Sequence, residues 1–566
     1  MIFWDTNSLN RRDFLKTSFS GILSLPFVLE SCNKTNSLNF TGKIVGEDVK
    51  LGHLFRDGKI IPPPTKPVGG LYSCIVVGGG CSGVAAGWRL NYAGVNDFLI
   101  LEKGSQLGGT AQSGVGNGTE HSWGAHYIET PPPEANFLYP LYEDLGIILG
   151  YKDDGWPVVN SEFVVKEPEI HLYTGKEWTP HRYPYPLANK KDLNEFQRFR
   201  KKMYEFYHTR GDDGKSPFTL PIQATSTDNK YRKLDLITMK DYMLSERYNS
   251  SLLDWYVDVQ CRDNFGTRYD EISAWVAVNY LSTNFSHFDP EEEKKHPSQV
   301  LSWAEGNQYL VKGMSKGFKE ENIRLNAMVV DIRNEKDYSL VTYYQSKENR
   351  FYTHKAKSVI FALPKFLLPR IYKDMKDRIQ YLSKFEYAPW IVANLYVKYP
   401  PNNKQLAWDN IYYRKLNDPY NWSLGYILAN YQDNHLLNKM HDPTILTFYA
   451  PLLRTGIDNE RKTLLNNDWN YWAELIVKDL SFMHPNITDL IERLDIYKWG
   501  HAMIRSKPGF VWGRERKEIA KPIKQIYMAH CDIGGLPIFE QAAYSGIQSA
   551  ESVLSLLNKS FTKMIK

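Results

Sequence analysis

Cysteine is scarce in this sequence. There are five in 566 residues, Cys32, Cys74, Cys81, Cys261 and Cys531, and no CxxC pair among them. An odd, scattered set excludes a disulfide scaffold and a thiolate metal centre. Cys74, Cys81 and Cys531 fall in apparent core segments and read as buried, inert thiols. Charge of one sign is also scarce. The formal net charge is +5, with no long Lys/Arg run, which argues against a nucleic-acid partner. No apolar run reaches the ~20 residues of a membrane-spanning helix. No His, Cys, Asp or Glu spacing suggests a metal site, and internal repeats and low-complexity tracts are missing. What remains is a chain long enough for two or three domains at roughly 100–200 residues each, rich in aromatic residues.

The N-terminus reads as a targeting segment over residues 1–32. Arg11-Arg12 precedes Phe14-Leu15-Lys16, and a modestly apolar run from Phe19 to Leu29 follows. This is the pattern of a twin-arginine export signal, which implies the twin-arginine export machinery as a partner and an exported, periplasmic destination. The run ends Leu29-Glu30-Ser31-Cys32. Leu, a small residue and Cys suit a lipoprotein cleavage site, so Cys32 is a candidate for lipid attachment to a membrane, although Glu30 fits it poorly. Residues 33–70, ending in Pro62-Pro63-Pro64 and Pro67–Gly70, read as a linker.

Ile75-Val76-Val77 is a buried-strand signal. Gly78, Gly80 and Gly83 then spell G-x-G-x-x-G, and an amphipathic helix runs on through Leu90. Each glycine has its own task. Gly78 permits the turn, Gly80 lets backbone approach a diphosphate, and Gly83 lets the helix pack against the sheet. The helix N-terminus then presents free N–H groups to the anion, with Ser82 as an added hydroxyl. The second strand, Phe98–Leu101, ends in Glu102, placed to accept ribose hydroxyls and repel a 2′-phosphate. Two further segments favour FAD over NAD. One is Leu107-Gly108-Gly109-Thr110. The other is Gln525–Asp532 with Gly534-Gly535 and a helix through Ser545-Gly546, where Asp532 is expected to grip the ribityl chain.

With these motifs in place, the chain after Leu71 resembles the flavin amine oxidase, protoporphyrinogen oxidase and phytoene desaturase superfamily. Val77–Gly83, Glu102, Gly108-Gly109, Leu325-Asn326 with Val329, Val359–Pro364, and Asp532 with Glu540–Gly546 carry the resemblance. It implies an α/β fold, with a discontinuous Rossmann-type FAD-binding domain (71–135, 300–375 and 490–566) and an inserted α+β substrate domain (136–299 and 376–489). It also implies that Val329 meets adenine through its backbone and that Trp123–His126 passes near the flavin ring. Two departures concern the diphosphate. Gln106 and Thr110 stand where the family often has arginine. A third is Asn394, which falls where many amine oxidases place a lysine near the flavin.

For the chemistry, the candidates for a proton acceptor are His126 and His501, each equally at home as a hydrogen-bonded structural histidine. Arg262-Asp263 reads as a buried ion pair. The leading function is oxidation of a C–N bond in an amine or polyamine, with FAD accepting hydride from a small-molecule substrate. The alternatives are a desaturase or isomerase of an apolar substrate, and a non-catalytic flavin-bearing electron-transfer or binding protein.

Overall fold

The chain is described by a computed structural model over residues 38–46, 49–286, 297, 299–375, 377–401, 407–429, 431 and 442–565. Arg11, Arg12 and Cys32 lie outside the described residues. The chain divides into two units, 1–39 and 40–566, and the second carries everything that follows. No helix among the described residues is long and apolar enough to cross a membrane.

The strand signal at Ile75–Val77 becomes the centre of a five-stranded parallel sheet. Its order is Ile323–Arg324, Phe98–Leu101, Cys74–Val77, Val359–Phe361 and Ile526–Met528. Side chains alternate between the two faces of a strand. Cys74, Val76 and Ile100 therefore point one way, into a core shared with helices Cys81–Tyr92 and Phe539–Leu556. Ile75, Val77, Leu99 and Leu101 point the other way, onto Val329, Ile332 and Val341. Those residues belong to an antiparallel sheet of Ala327–Asn334, Ser339–Gln345 and Arg350–Ala356, with Leu71–Tyr72 added in parallel. Burial on both faces is why the parallel strands read as unbroken apolar runs.

The substrate half is built on an eight-stranded mixed sheet. Its order is Thr41–Val45, Ile491–Ile504, Tyr387–Val397, Thr444–Pro451, Tyr426–Leu428, Asp409–Tyr412, Ile170–Tyr173 and Trp178–Thr179. Helices Lys190–His208, Met239–Ser245, Ser251–Phe265 and Ala274–Asn284 flank it in sequence, as the aromatic spacing there predicts. Phe196, Phe199 and Met203 are buried core residues.

Two boundaries differ from the sequence reading. Residues 33–70 are not a linker throughout. Thr41–Val45 pairs in parallel with Arg493–Tyr497, and Leu51 of helix Val49–Arg56 packs on Met328 and Val330. The prolines that suggested a tether begin only after this pair of elements. Ile491–Ile504, expected in the FAD-binding domain, instead pairs with Tyr387–Val397 in the substrate sheet. Arg262 and Asp263 do not pair with each other. Neighbours in a helix point about 100° apart, so Arg262 reaches Asp258 at 2.8 Å and Asp263 reaches Arg182 at 3.5 Å.

Candidate cofactor and substrate site

A single cavity of about 940 Å³ runs from the glycine turn into the substrate sheet, at the upper end of ordinary ligand sites. At one end it is lined by Glu102, Lys103, Met328 and Val329, with Gly52 and Phe55 of the helix once read as linker. Gly78, Gly80, Gly108, Gly109 and Thr110 line its middle, with Cys81 and Ser82 opening the helix. His126, Trp390, Tyr449, Trp499 and His501 line the inner part.

The glycines act as their pattern implies. Gly78 has φ +102, a conformation glycine adopts at no steric cost. A Cβ on Gly83 would overlap the Gly78 carbonyl oxygen. Gly80 and Gly108 bridge one another, and Gly108 N–H donates to Gly79 O at 2.8 Å. The first turn of helix Cys81–Tyr92 carries no acidic residue of its own, so its N–H groups present a positive pole to the cavity. Glu102 accepts N–H bonds from Gly79 at 2.7 Å and from Gly104 at 2.6 Å. Its carboxylate thus braces the glycine turn as well as lining the cleft. Thr110 is exposed to the cavity. Ser82 lines the cavity, and its hydroxyl also pairs with Ser545 Oγ at 3.0 Å, which ties the two core helices together.

Asp532 is the main correction. It is fully buried, and the cavity is lined at this turn by His530 and Cys531 instead. Its Oδ2 accepts Lys365 N–H at 2.9 Å and Tyr387 O–H at 2.5 Å, while Oδ1 lies 2.9 Å from His530 Nδ1. Burial alone would raise its pKa. His530, Lys365 and Tyr387 outweigh that and hold the carboxyl below its usual range. The strand ends at Met528, and a tight turn over Cys531–Ile533 follows. That turn rotates residues 530 and 531 toward the cavity and residue 532 into the core. The glycine-helix pattern locates the turn but does not fix which residue faces inward. Cys81 and Cys531 likewise line the cavity and are not sealed in the core. Burial pushes the Cys81 thiol up to about 12 and Cys531 well above its ordinary value, so neither is a thiolate near neutrality. His530, Cys531 and Asp532 bring three ligand types within 4.8 Å, but the Asp532 oxygens are already committed as above.

Both candidate histidines reach the cavity. His126 Nδ1 lies 2.9 Å from Gly124 O. The carbonyl can only accept, so Nδ1 carries the proton and Nε2 is left as the basic nitrogen. Burial lowers its pKa, which keeps the ring neutral. His501 stacks on Phe366, with centroids 4.3 Å apart. Desolvation, then Arg461, lowers its pKa as well. Asn394 is fully buried beneath the cleft, its amide donating to Ser122 O and its oxygen accepting from Thr447.

The motif reading missed an acidic arm of the cavity lined by Glu129, Glu540 and Tyr280. Burial, then Glu540, raises Glu129 to about 7, and burial also raises Glu540. Nearby, Arg182 faces Asp409 at 3.2 Å and Asp263 at 3.5 Å. No local pattern marks these carboxylates, because strand Tyr127–Glu129 and helix Phe539–Leu556 meet only in the fold.

Residues 76–145 match the family model of the NAD(P)-binding Rossmann-like domain. Over 551 residues the chain is 21% identical to Oxidoreductase PigB of Serratia sp., covering 87% of this chain and 76% of that protein. Over 87 residues it is 34% identical to Polyamine oxidase 1 of Zea mays, which is 15% of this chain and 14% of the relative. Among solved structures, wild-type putrescine oxidase bound to putrescine aligns with a TM-score of 0.61 at 16% identity, over 85% of this chain and 98% of that one. The chain shares the Rossmann-like α/β fold of that structure. Cyclohexylamine oxidase from Brevibacterium oxydans shares it, with a TM-score of 0.59 at 14% identity over 86% of this chain and 100% of that one. So does a CLA-producing fatty acid isomerase from P. acnes, with a TM-score of 0.56 at 15% identity over 86% of this chain and 98% of that one. At these identities the likeness is one of fold.

Proposed function

We propose that this chain is an FAD-dependent oxidoreductase that oxidises the C–N bond of an amine. The residues present suit the cofactor. Gly78, Gly80, Gly109 and Thr110 line an open cradle at a helix N-terminus, which Gly83 lets pack close to the glycine turn, with Glu102 and Val329 at one end. These residues would hold FAD, and bound flavin supplies the hydride acceptor.

The observation that carries the substrate class is the acidic arm. Glu129 and Glu540 face one cavity; burial disfavours the ionisation of both, and Glu540 adds to that for Glu129. Two half-buried carboxylates sharing one cavity favour a cation between them or stay protonated. A protonated amine satisfies them, and an apolar chain does not. Trp390, Tyr449 and Trp499 line the same cavity, and aromatic rings of this kind attract cations. Neutral His126 is the group suited to take the proton that the amine must lose before its C–N bond is oxidised.

The test is turnover with an artificial electron acceptor, using diamines, monoamines and polyenes, and scoring carbonyl product. Carbonyl from amines alone is the expected result. Turnover of polyenes alone would establish the desaturase or isomerase reading, and turnover of neither the non-catalytic one. The export reading completes the proposal. A protein that loads FAD before leaving the cytoplasm requires a route for folded proteins, and Arg11-Arg12 fits the twin-arginine one.

A further inference from the structure

The segment ahead of the dinucleotide fold carries helix Val49–Arg56, which reaches the cavity wall. Eight residues are too few to hold a helix in water alone, so this one stands by docking. Its one buried residue is Leu51, which packs on Met328 and Val330. Phe55 follows one turn later and is half-buried against the core that holds Val329 and Ile371. Arg370 closes the last turn, its Nη1 donating to Arg56 O at 3.0 Å. Val49, Lys50, Leu54 and Arg56 are exposed. The helix therefore has one face on the protein and one in solvent. A segment docked by so few groups is the part of a cavity wall that opens at lowest cost.

The chain leading into the helix is pinned. Thr41–Val45 runs parallel to Arg493–Tyr497 at the edge of the substrate sheet, and Lys43 N–H donates to Asp495 Oδ1 at 3.2 Å. Gly42 lies so close to Leu494 that a Cβ there would overlap its carbonyl oxygen. The segment is thus fastened to the substrate sheet by its strand and laid on the dinucleotide half by its helix. Gly52 and Phe55 line the cavity that runs between these halves, at the end formed by Glu102, Met328 and Val329. A Cβ on Gly52 would meet no atom within 4 Å, so the helix comes to the cavity without filling it.

We propose that helix Val49–Arg56 is a strap over the adenosine end of the bound dinucleotide, lifting to admit or release it, with Phe55 as the side chain that closes on it. Strap and ligand then stabilise one another. A ligand that touches Phe55 holds the helix down, and a docked helix slows the ligand's escape.

The proposal rests on the reading of the cleft as an FAD site. The experiment uses the full chain freed of flavin, as wild type, Leu51→Ala, Phe55→Ala and Phe55→Leu, with FAD, ADP and riboflavin as probes. FAD release is timed by flavin fluorescence on dilution, and affinities are read by titration. Phe55→Ala should release FAD at least fivefold faster, weaken ADP by a similar factor and leave riboflavin within twofold. Phe55→Leu should recover most of the loss. Leu51→Ala, which loosens the anchor outside the cavity, should speed both entry and release of FAD. Trypsin gives a readout that needs no variant. Saturating FAD or ADP should slow cleavage of wild type at Lys50 and Arg56 about tenfold, and riboflavin should not. Unchanged release in both alanine variants, a loss of riboflavin equal to that of ADP, or cleavage indifferent to ADP would overturn the proposal. Failure of wild type to bind FAD or ADP would overturn the underlying FAD reading as well.

Discussion

Replacing Glu129 by Gln tests the substrate assignment at one atom pair. Burial, then Glu540, raises the Glu129 carboxyl from 4.5 to about 7. A shift of that size corresponds to roughly 3 kcal/mol of disfavoured ionisation, less where cavity water reaches the group. A bound ammonium returns part of that energy by pairing with the carboxylate. The glutamine keeps the shape and forfeits the charge, so amine affinity should fall about 10- to 100-fold at pH 8, or roughly 1.4–2.8 kcal/mol. The pH profile gives a second signature. Glu129 is neutral below about 7 and charged above it, while an alkyl amine stays protonated to roughly pH 10. Wild-type affinity should therefore tighten as pH rises through about 7, and Glu129→Gln should lose most of that dependence. The assay is the amine concentration giving half-maximal flavin reduction, measured anaerobically from pH 5.5 to 9. Equal affinity in both proteins with the same profile would refute the reasoning.

Gly83→Ala should purify without flavin, since its Cβ would overlap the Gly78 oxygen and push the helix off the sheet; FAD per chain after gel filtration reads this directly. Asp532→Asn should destabilise the whole fold by about 2–3 kcal/mol, because it removes a buried carboxylate that Lys365, Tyr387 and His530 all contact; a denaturant melt checks it. The same carboxylate has a lowered pKa, so its contribution is present above about pH 4 and is lost as pH falls below that. Glu129 and Asp409, both raised to about 7, act in the opposite sense. The folded chain keeps protons that the unfolded chain releases, so these two groups should make the flavin-free protein less stable as pH rises from about 4.5 to 7, as thermal melts across that window would show. Replacing Arg11 and Arg12 by Lys should leave folded, flavin-loaded precursor in the cytoplasm, scored by cell fractionation.

The dinucleotide half was legible because its signals are local. Strand, three glycines, helix and a carboxylate after the second strand follow one another within thirty residues, and the structure assembles them as read. The alternation of Ile75 and Val77 against Cys74 and Val76 even settles which core each residue enters. The terminal clamp was legible only to within a residue. One step of backbone rotation exchanges Asp532 for His530 and Cys531 at the cavity wall, and side-chain direction in a tight turn has no sequence period to reveal it. The strand Thr41–Val45 was hidden for a different reason. It pairs with a partner some 450 residues away, and its own composition is polar and half-exposed. Glu129 and Glu540 were missed because each is ordinary alone, and their significance lies in sharing a cavity.

The most direct test of the central claim is anaerobic reduction of the purified, flavin-loaded chain by a diamine, followed in the visible spectrum. Full bleaching of the flavin band, with one equivalent of carbonyl product formed per flavin, is the result expected of an FAD-dependent amine oxidoreductase. A flavin band unchanged by every amine yet bleached by a polyene, or a chain that purifies with no FAD at all, would contradict it.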